Sequence, residues 1–213
     1  MFYIQATDGV KIAVYDYNSC GKRTVFLIHG WPLSHKIYEY QIPRLIDCGY
    51  RVVAIDLRGF GASEAPGCNY GYDQMASDIY CVVKRLNLCS FTLVGFSMGG
   101  AIALRYMRLF GGCGVKKLIL LSAAAPSWTM RPGFPYGFTK AYVNGLIEGI
   151  RTDRAKFAET FSSQLFARTQ SKEIKAWFAQ IAMSASAVGT IGTAYALRDE
   201  DGRRDLALSL IHI

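Results

Sequence analysis

The chain has no long hydrophobic run. Nothing in its 213 residues approaches the roughly 20 apolar residues that a bilayer-crossing helix needs. The first residues, Met1-Phe2-Tyr3-Ile4-Gln5-Ala6-Thr7-Asp8-Gly9, carry no basic start and no apolar stretch, so no secretory leader is expected and the protein is expected in the cytoplasm. Cysteine pairing is also missing. Cys20, Cys48, Cys68, Cys81, Cys89 and Cys113 are scattered, with no Cys-x-x-Cys, and are expected as reduced thiols. Histidine is scarce. His29, His35 and His212 stand apart from any cysteine or carboxylate at ligand spacing, so no metal and no cofactor are expected. The net charge is +8, yet dense Lys/Arg runs with interleaved aromatics are absent. That argues for solvated surface charge, with neither nucleic acid nor membrane as partner.

What is present is apolar substance: 51% hydrophobic residues, enough for one domain with a real core. At its centre stands Leu93-Val94-Gly95-Phe96-Ser97-Met98-Gly99-Gly100. An apolar run leads into Gly-x-Ser-x-Gly, and small residues follow at helical spacing. The pattern predicts strand, sharp turn and helix with serine at the apex. Such a turn strains the serine backbone and needs small neighbours on both sides, here Gly95 and Gly99. Gly100 and Ala101 would let the helix approach the strand.

The rest of the core region has an α/β rhythm. Phe2 to Ala6 and Lys11 to Tyr17 flank the turn dipeptide Asp8-Gly9 and predict an antiparallel hairpin. Thr24–Ile28, Arg51–Ile55, Phe91–Val94 and Lys117–Leu121 read as strands buried on both faces. Helices are predicted over Tyr38–Cys48, Asp73–Leu86 and Ala101–Phe110. Strands alternating with helices imply right-handed crossovers and a parallel sheet covered on both sides. The carboxyl ends of its strands, where ligands bind in such sheets, gather His29-Gly30-Trp31, Asp56-Leu57-Arg58, Ser97 and Ser122-Ala123-Ala124.

From Pro126 the texture changes. A loop-like stretch with Trp128, Phe134 and Tyr136 is followed by helical segments, Thr139–Ile150, Arg154–Phe166 and Lys172 to Ala185, with no strands between. Phe157, Phe161 and Leu165 repeat at helical spacing, as do Ile174 and Phe178, which suits core-facing stripes. Trp128, Phe134 and Trp177 are the residues expected to line an acyl or aromatic pocket. The organisation read from this is an α/β core over 1–125, a helical lid over 126–200, and the start of a return to the core over 201–213.

His29-Gly30-Trp31-Pro32, Asp56-Leu57-Arg58-Gly59-Phe60-Gly61-Ala62-Ser63 and Gly95-Phe96-Ser97-Met98-Gly99-Gly100 together resemble the α/β-hydrolase fold family, over nearly the whole chain. With Leu121-Ser122-Ala123-Ala124-Ala125-Pro126, these phrases look most like its cofactor-free haloperoxidase and arylesterase group. Related dehalogenases and epoxide hydrolases carry aspartate at the elbow, and Ser97 argues against both. The resemblance implies a mainly parallel sheet with an antiparallel N-terminal hairpin, a helical lid, and a serine esterase acting on a small ester or acyl compound. Perhydrolase or haloperoxidase side activity is implied too.

Ser97 would be the nucleophile, and the backbone N–H groups of Trp31 and Met98 the oxyanion donors. His29 is read as structural rather than as the base, and His35 likewise. Asp56 is read as ordering its own loop together with Arg58. In this fold the acid and the histidine follow the nucleophile in the chain. Leu121-Ser122-Ala123-Ala124-Ala125 offers no carboxylate, and Asp199, Glu200 and Asp201 precede the strand that should carry one. The expectation is therefore that the chain is C-terminally truncated, lacks the final strands, and by itself is inactive or at most binds small apolar acyl ligands. Leu208-Ser209-Leu210-Ile211-His212-Ile213 reads either as the in-frame translation of a sequencing-library transposase adapter or as the start of a Leu/Ile strand. His212 is not the base under either reading.

Overall fold

The computed structural model describes residues 1–206. The readings of residues 207–213, adapter or strand, lie outside the described residues. Six strands form one mixed sheet in the order β1-β2-β4-β3-β5-β6. β1 (Phe2–Gln5) and β2 (Lys11–Tyr17) make the antiparallel hairpin, with Ile4 opposite Ile12. β2 runs antiparallel to β4 (Tyr50–Ile55), and from there the sheet is parallel: β4 with β3 (Arg23–Ile28), β3 with β5 (Phe91–Phe96), β5 with β6 (Val115–Leu121).

The central strands are buried on both faces, which is why they read as unbroken apolar runs. One face packs Ile12, Val14, Phe26, Ile28, Val53, Ile55 and Leu93 against α2 (Tyr72–Arg85) and α3 (Met98–Leu109). The other packs Val25, Leu27, Val52, Ala54 and Val94 against α1 (Gln41–Asp47) and Tyr38. The segment predicted as one helix from Tyr38 is divided. A 3₁₀ turn, His35–Tyr38, precedes α1, and Pro43 falls in the first turn of α1, where its missing N–H costs nothing.

Beyond β6 four helices follow without strands: α4 (Lys140–Thr152), α5 (Arg154–Gln164), α6 (Lys172–Ser184) and α7 (Ala187–Asp199). The first three match the predicted segments. α7 had no separate prediction, because its Gly-Thr-Ile-Gly-Thr stretch has weak helix propensity. Its start was signalled by Ser186, whose Oγ accepts from the Gly189 amide at 3.3 Å. Close contact explains the glycines: a Cβ on Gly189 would stand 2.7 Å from Gly59 Cα, and one on Gly192 2.4 Å from the Tyr70 ring. α7 therefore lies directly on the loop that follows β4.

The chain then returns to the core helices. Glu200 accepts from the Tyr72 amide at 3.0 Å, at the start of α2. In α8 (Arg203–Leu206), Asp205 accepts from Arg105 Nε of α3 at 2.8 Å.

Candidate active site

Ser97 sits between β5 and α3 with φ 51° and ψ −118°, a conformation that costs a non-glycine residue energy. Backbone hydrogen bonds over-determine it, among them a bond from the Ala101 amide to the Ser97 carbonyl at 3.4 Å. The Ser97 amide donates to Leu121 O at 2.9 Å, and the Ser97 carbonyl accepts from Gly100 at 3.0 Å and Ala124 at 2.9 Å. The glycines leave the turn no alternative occupant. A Cβ on Gly95 would stand 2.5 Å from Gly99 O, one on Gly99 2.4 Å from His29 O, and one on Gly100 2.5 Å from Ala123 Cβ. Ser97 itself is half-buried.

Two backbone donors stand beside it. Met98 is the first residue of α3, so its N–H has no partner within the helix and points with the positive end of the helix dipole. Trp31 lies on the loop after β3. Gly30, preceding it, touches the elbow: a Cβ there would be 2.9 Å from both Ser97 Cβ and the Phe96 ring. Among the described residues no hydrogen bond engages the amide of Trp31 or of Met98.

The loop that carries Trp31 is fixed from several sides. The Trp31 indole N–H donates to Thr190 O of α7 at 2.9 Å. Its ring packs against Trp128, Phe157 and Phe161 at centroid distances of 6.1, 5.6 and 5.0 Å. Asp56, fully buried at the end of β4, accepts from the His35 amide and from His35 Nδ1, both at 2.8 Å. It also accepts from Tyr15 Oη at 3.1 Å and the Ala62 amide at 2.8 Å, and the Tyr15 ring stacks on His35 at 3.5 Å. Burial, the largest single influence, works to raise the Asp56 carboxyl, but the His35 hydrogen bond, the neighbouring His29 and His35 and the Ala62 amide together outweigh it and hold it below its usual range. Asp56 thus ties down two loops.

Arg58, expected to help Asp56, turns elsewhere. It is fully buried and reaches Asp78 through Nε at 2.6 Å and Asp8 through Nη1 at 2.8 Å. The hairpin turn supplies Asp8 from fifty residues away, a partner that local sequence could not name.

His29 is fully buried. Its Nε2 accepts from the Leu57 amide at 2.9 Å, which leaves Nδ1–H to donate to Gly30 O at 2.9 Å. Burial lowers its pKa to about 4. Both described histidines are thus committed elsewhere, and neither bonds Ser97. Among the described residues no cluster of three or more His, Cys, Asp or Glu side chains is placed to hold a metal.

The three expected pocket residues part company. Trp128 joins the Trp31 cluster and stacks edge-on with Phe138. Trp177 packs with Phe96 and Phe178 against the cluster of Leu33, Ala158, Ile181 and Ala182. Phe134 contacts Tyr136 at 5.4 Å, in the loop, and joins neither cluster. Phe157 and Phe161, read from sequence only as a core stripe, meet Trp31 alongside Trp128. Their periodicity gave the helix face but not the object it faces. An open groove of about 710 Å³ lies between residues 67–71 and α7, away from Ser97, lined by Tyr70, Ile191 and Tyr195.

A strained serine between a parallel strand and a helix, with a glycine-preceded loop at its side, has the strand–turn–helix geometry that the Gly-x-Ser-x-Gly pattern calls for. The chain belongs to the alpha/beta hydrolase fold family, whose model matches residues 23–202. It is 46% identical to the AB hydrolase superfamily protein YisY of Bacillus subtilis (strain 168), over 96% of this chain and 76% of that protein. An esterase from Exiguobacterium antarcticum superposes with a TM-score of 0.93 at 46% identity, covering 96% of this chain and 76% of that one. The bromoperoxidase from Bacillus anthracis gives 0.90 at 34% identity, covering 98% and 78%.

Proposed function

We propose that the protein is a serine carboxylesterase of small esters with Ser97 as nucleophile. The observation that carries this is the strained Ser97 beside two free amides. Attack by Ser97 Oγ on an acyl carbon would place the developing oxyanion between the N–H groups of Trp31 and Met98. One such donor is worth on the order of 3 kcal/mol in the transition state. Trp128, packed on Trp31, and Trp177, packed with Phe96 on a shared apolar cluster, support a compact apolar acyl pocket under a lid of α4–α7. Phe134 is the weakest of the pocket assignments, since its ring faces Tyr136. The bromoperoxidase and esterase neighbours support perhydrolysis as a side reaction: hydrogen peroxide, in place of water, takes the acyl group from Ser97, the serine oxygen leaves and is reprotonated, and the peracid so formed, not the enzyme, oxidises halide.

The acid and base that would activate Ser97 are assigned to parts of the protein outside residues 1–206. A second reading has support from the same geometry. With His29 held by Leu57 and His35 by Asp56, residues 1–213 alone would bind small apolar acyl ligands without turning them over. The two are separated by assaying p-nitrophenyl acetate hydrolysis with residues 1–213 and with the product of the gene's whole reading frame, each beside its Ser97→Ala variant. Turnover that survives the substitution in both forms refutes the esterase reading. Ser97-dependent turnover by residues 1–213 refutes the second.

A further inference from the structure

The amino ends of the parallel strands form the pole opposite Ser97. Arg23 opens β3 in register with Tyr50 of β4, Thr24 faces Phe91, and Phe91 faces Val115. Lys22 and Arg23 therefore lie along the same sheet edge as Lys116 and Lys117. β3 and β6 are two strand spacings of about 4.8 Å apart, so these backbone positions span on the order of 10 Å. An offset in the register between Phe91 and Thr92 accompanies Lys116, and both it and Lys117 are exposed.

α2 runs back toward this pole and ends there. It contributes Lys84 and Arg85 in its last turn. Lys84 borders a cavity of about 320 Å³ with Leu88, Cys89, Cys113 and Gly114, the turns that feed β5 and β6.

Lys22, Arg23, Lys84, Arg85, Lys116 and Lys117 are all exposed, and among the described residues none of them pairs with a carboxylate. The acids at this end do not offset them. Asp16 is taken by Arg51 at 2.6 Å, and Asp205 by Arg105 and Arg108. Asp73 shares the same two arginines, and Asp47, exposed at the end of α1, has no ion-pair partner among the described residues. The sequence spreads these six cations over a hundred residues; the fold collects them on one end.

We propose that this pole docks on an anionic phospholipid surface and holds Ser97 on the side facing away from the lipid. A bilayer asks for many cations at one level without fixed spacing, and this end supplies them from the ends of several elements. Leu109, 39% exposed at the end of α3, sits at the same pole and suits the headgroup boundary. Single-stranded nucleic acid would need a run of free stacking rings; Tyr50 is covered by Arg23 at 4.4 Å, and Tyr3 beside Lys84 and Arg85 stands on the far side of the sheet order from Lys116 and Lys117. Duplex binding would need an element shaped to enter a groove, and this end is a row of strand and helix termini. Among the described residues no helix is long and apolar enough to cross the membrane, so the contact would be peripheral.

The test is co-sedimentation of residues 1–213 with vesicles of pure phosphatidylcholine and with vesicles containing phosphatidylglycerol, at low and high salt. Binding is expected only with phosphatidylglycerol and is lost at high salt. Lys116→Gln/Lys117→Gln lowers partitioning about 25-fold, at about fivefold per cation. Arg168→Gln/Lys172→Gln, an equal charge change on the helical segment, leaves it within about twofold. Unchanged melting temperatures show that both variants fold. No sedimentation with anionic vesicles overturns the proposal. So does an equal loss in both variants, or tighter binding to a duplex or single-stranded oligonucleotide than to the vesicles.

Discussion

Gly30 and Ser97 are in direct contact across the gap between the β3 loop and the elbow: a methyl on Gly30 would stand 2.9 Å from Ser97 Cβ. The loop after β3 and Ser97 are thus set against each other by the absence of one side chain. Gly30→Ala must push the loop or the serine. Its expected effect is on catalysis first. In the active form of the enzyme, kcat for p-nitrophenyl acetate should fall by about 10²-fold, the cost of displacing one donor. Overpacking should lower stability by about 1–3 kcal/mol. A variant with full kcat would show that the loop does not hold the donor.

Gly99→Ala tests the fold rather than the chemistry. Its Cβ would lie 2.4 Å from His29 O and 2.5 Å from Ile28 O, both backbone atoms of the neighbouring strand end. Neither can rotate away. A loss of about 3 kcal/mol or more is expected, or about 6–12 °C in melting temperature for a chain of this length. Thermal denaturation followed by circular dichroism checks it.

Arg58→Leu should be severe because it strands a buried acid. Asp78 is 1% exposed, and burial raises its carboxyl despite the opposing bond from Arg58. Removing the guanidinium leaves that charge uncompensated, which typically costs about 3–5 kcal/mol. Arg58→Leu/Asp78→Leu should recover part of the loss. Urea melts of the two variants against wild type measure this, and equal stability of the single and double variants would remove the ion pair from the account.

His29 gives the pH dependence. Its folded pKa is lowered, to about 4, while the unfolded chain takes up the proton near the ordinary 6.5. The unfolded state therefore binds more protons between these values, and stability falls as the pH drops from about 6.5 to about 4. Below that, both states are protonated and this contribution levels off. The full span is about 3 kcal/mol. Asp56, whose pKa is lowered from the carboxylate value, acts only at more acidic pH. His29→Gln should flatten the slope of unfolding free energy between about pH 6.5 and 4.5. A wild-type slope identical to the variant's would place the titration elsewhere.

The elbow was legible because its motif is contiguous in the chain, although only Gly95 answers a contact local in sequence, while Gly99 faces His29 and Ile28 and Gly100 faces Ala123. Gly95 meets Gly99 and Gly100 within the same turn. The buried strands were legible because sheet burial on both faces leaves unbroken apolar runs such as Phe26-Leu27-Ile28. Arg58 was misassigned for the opposite reason. Its partners, Asp8 and Asp78, arrive from the hairpin and from α2, and nothing near Arg58 in the chain marks them. The same holds for Trp31, whose indole meets Thr190 across 159 positions. Residue type announced an aromatic next to a glycine; only the packing of α5 and α7 says what it touches.

The central claim is that Ser97 is the nucleophile, and a fluorophosphonate probe with peptide mass spectrometry tests it most directly. Applied to the product of the gene's whole reading frame, it should leave its adduct on the peptide containing Gly95-Phe96-Ser97-Met98-Gly99, and Ser97→Ala should abolish both the adduct and p-nitrophenyl acetate turnover. An adduct on another residue, or labelling and turnover undiminished in Ser97→Ala, would contradict it.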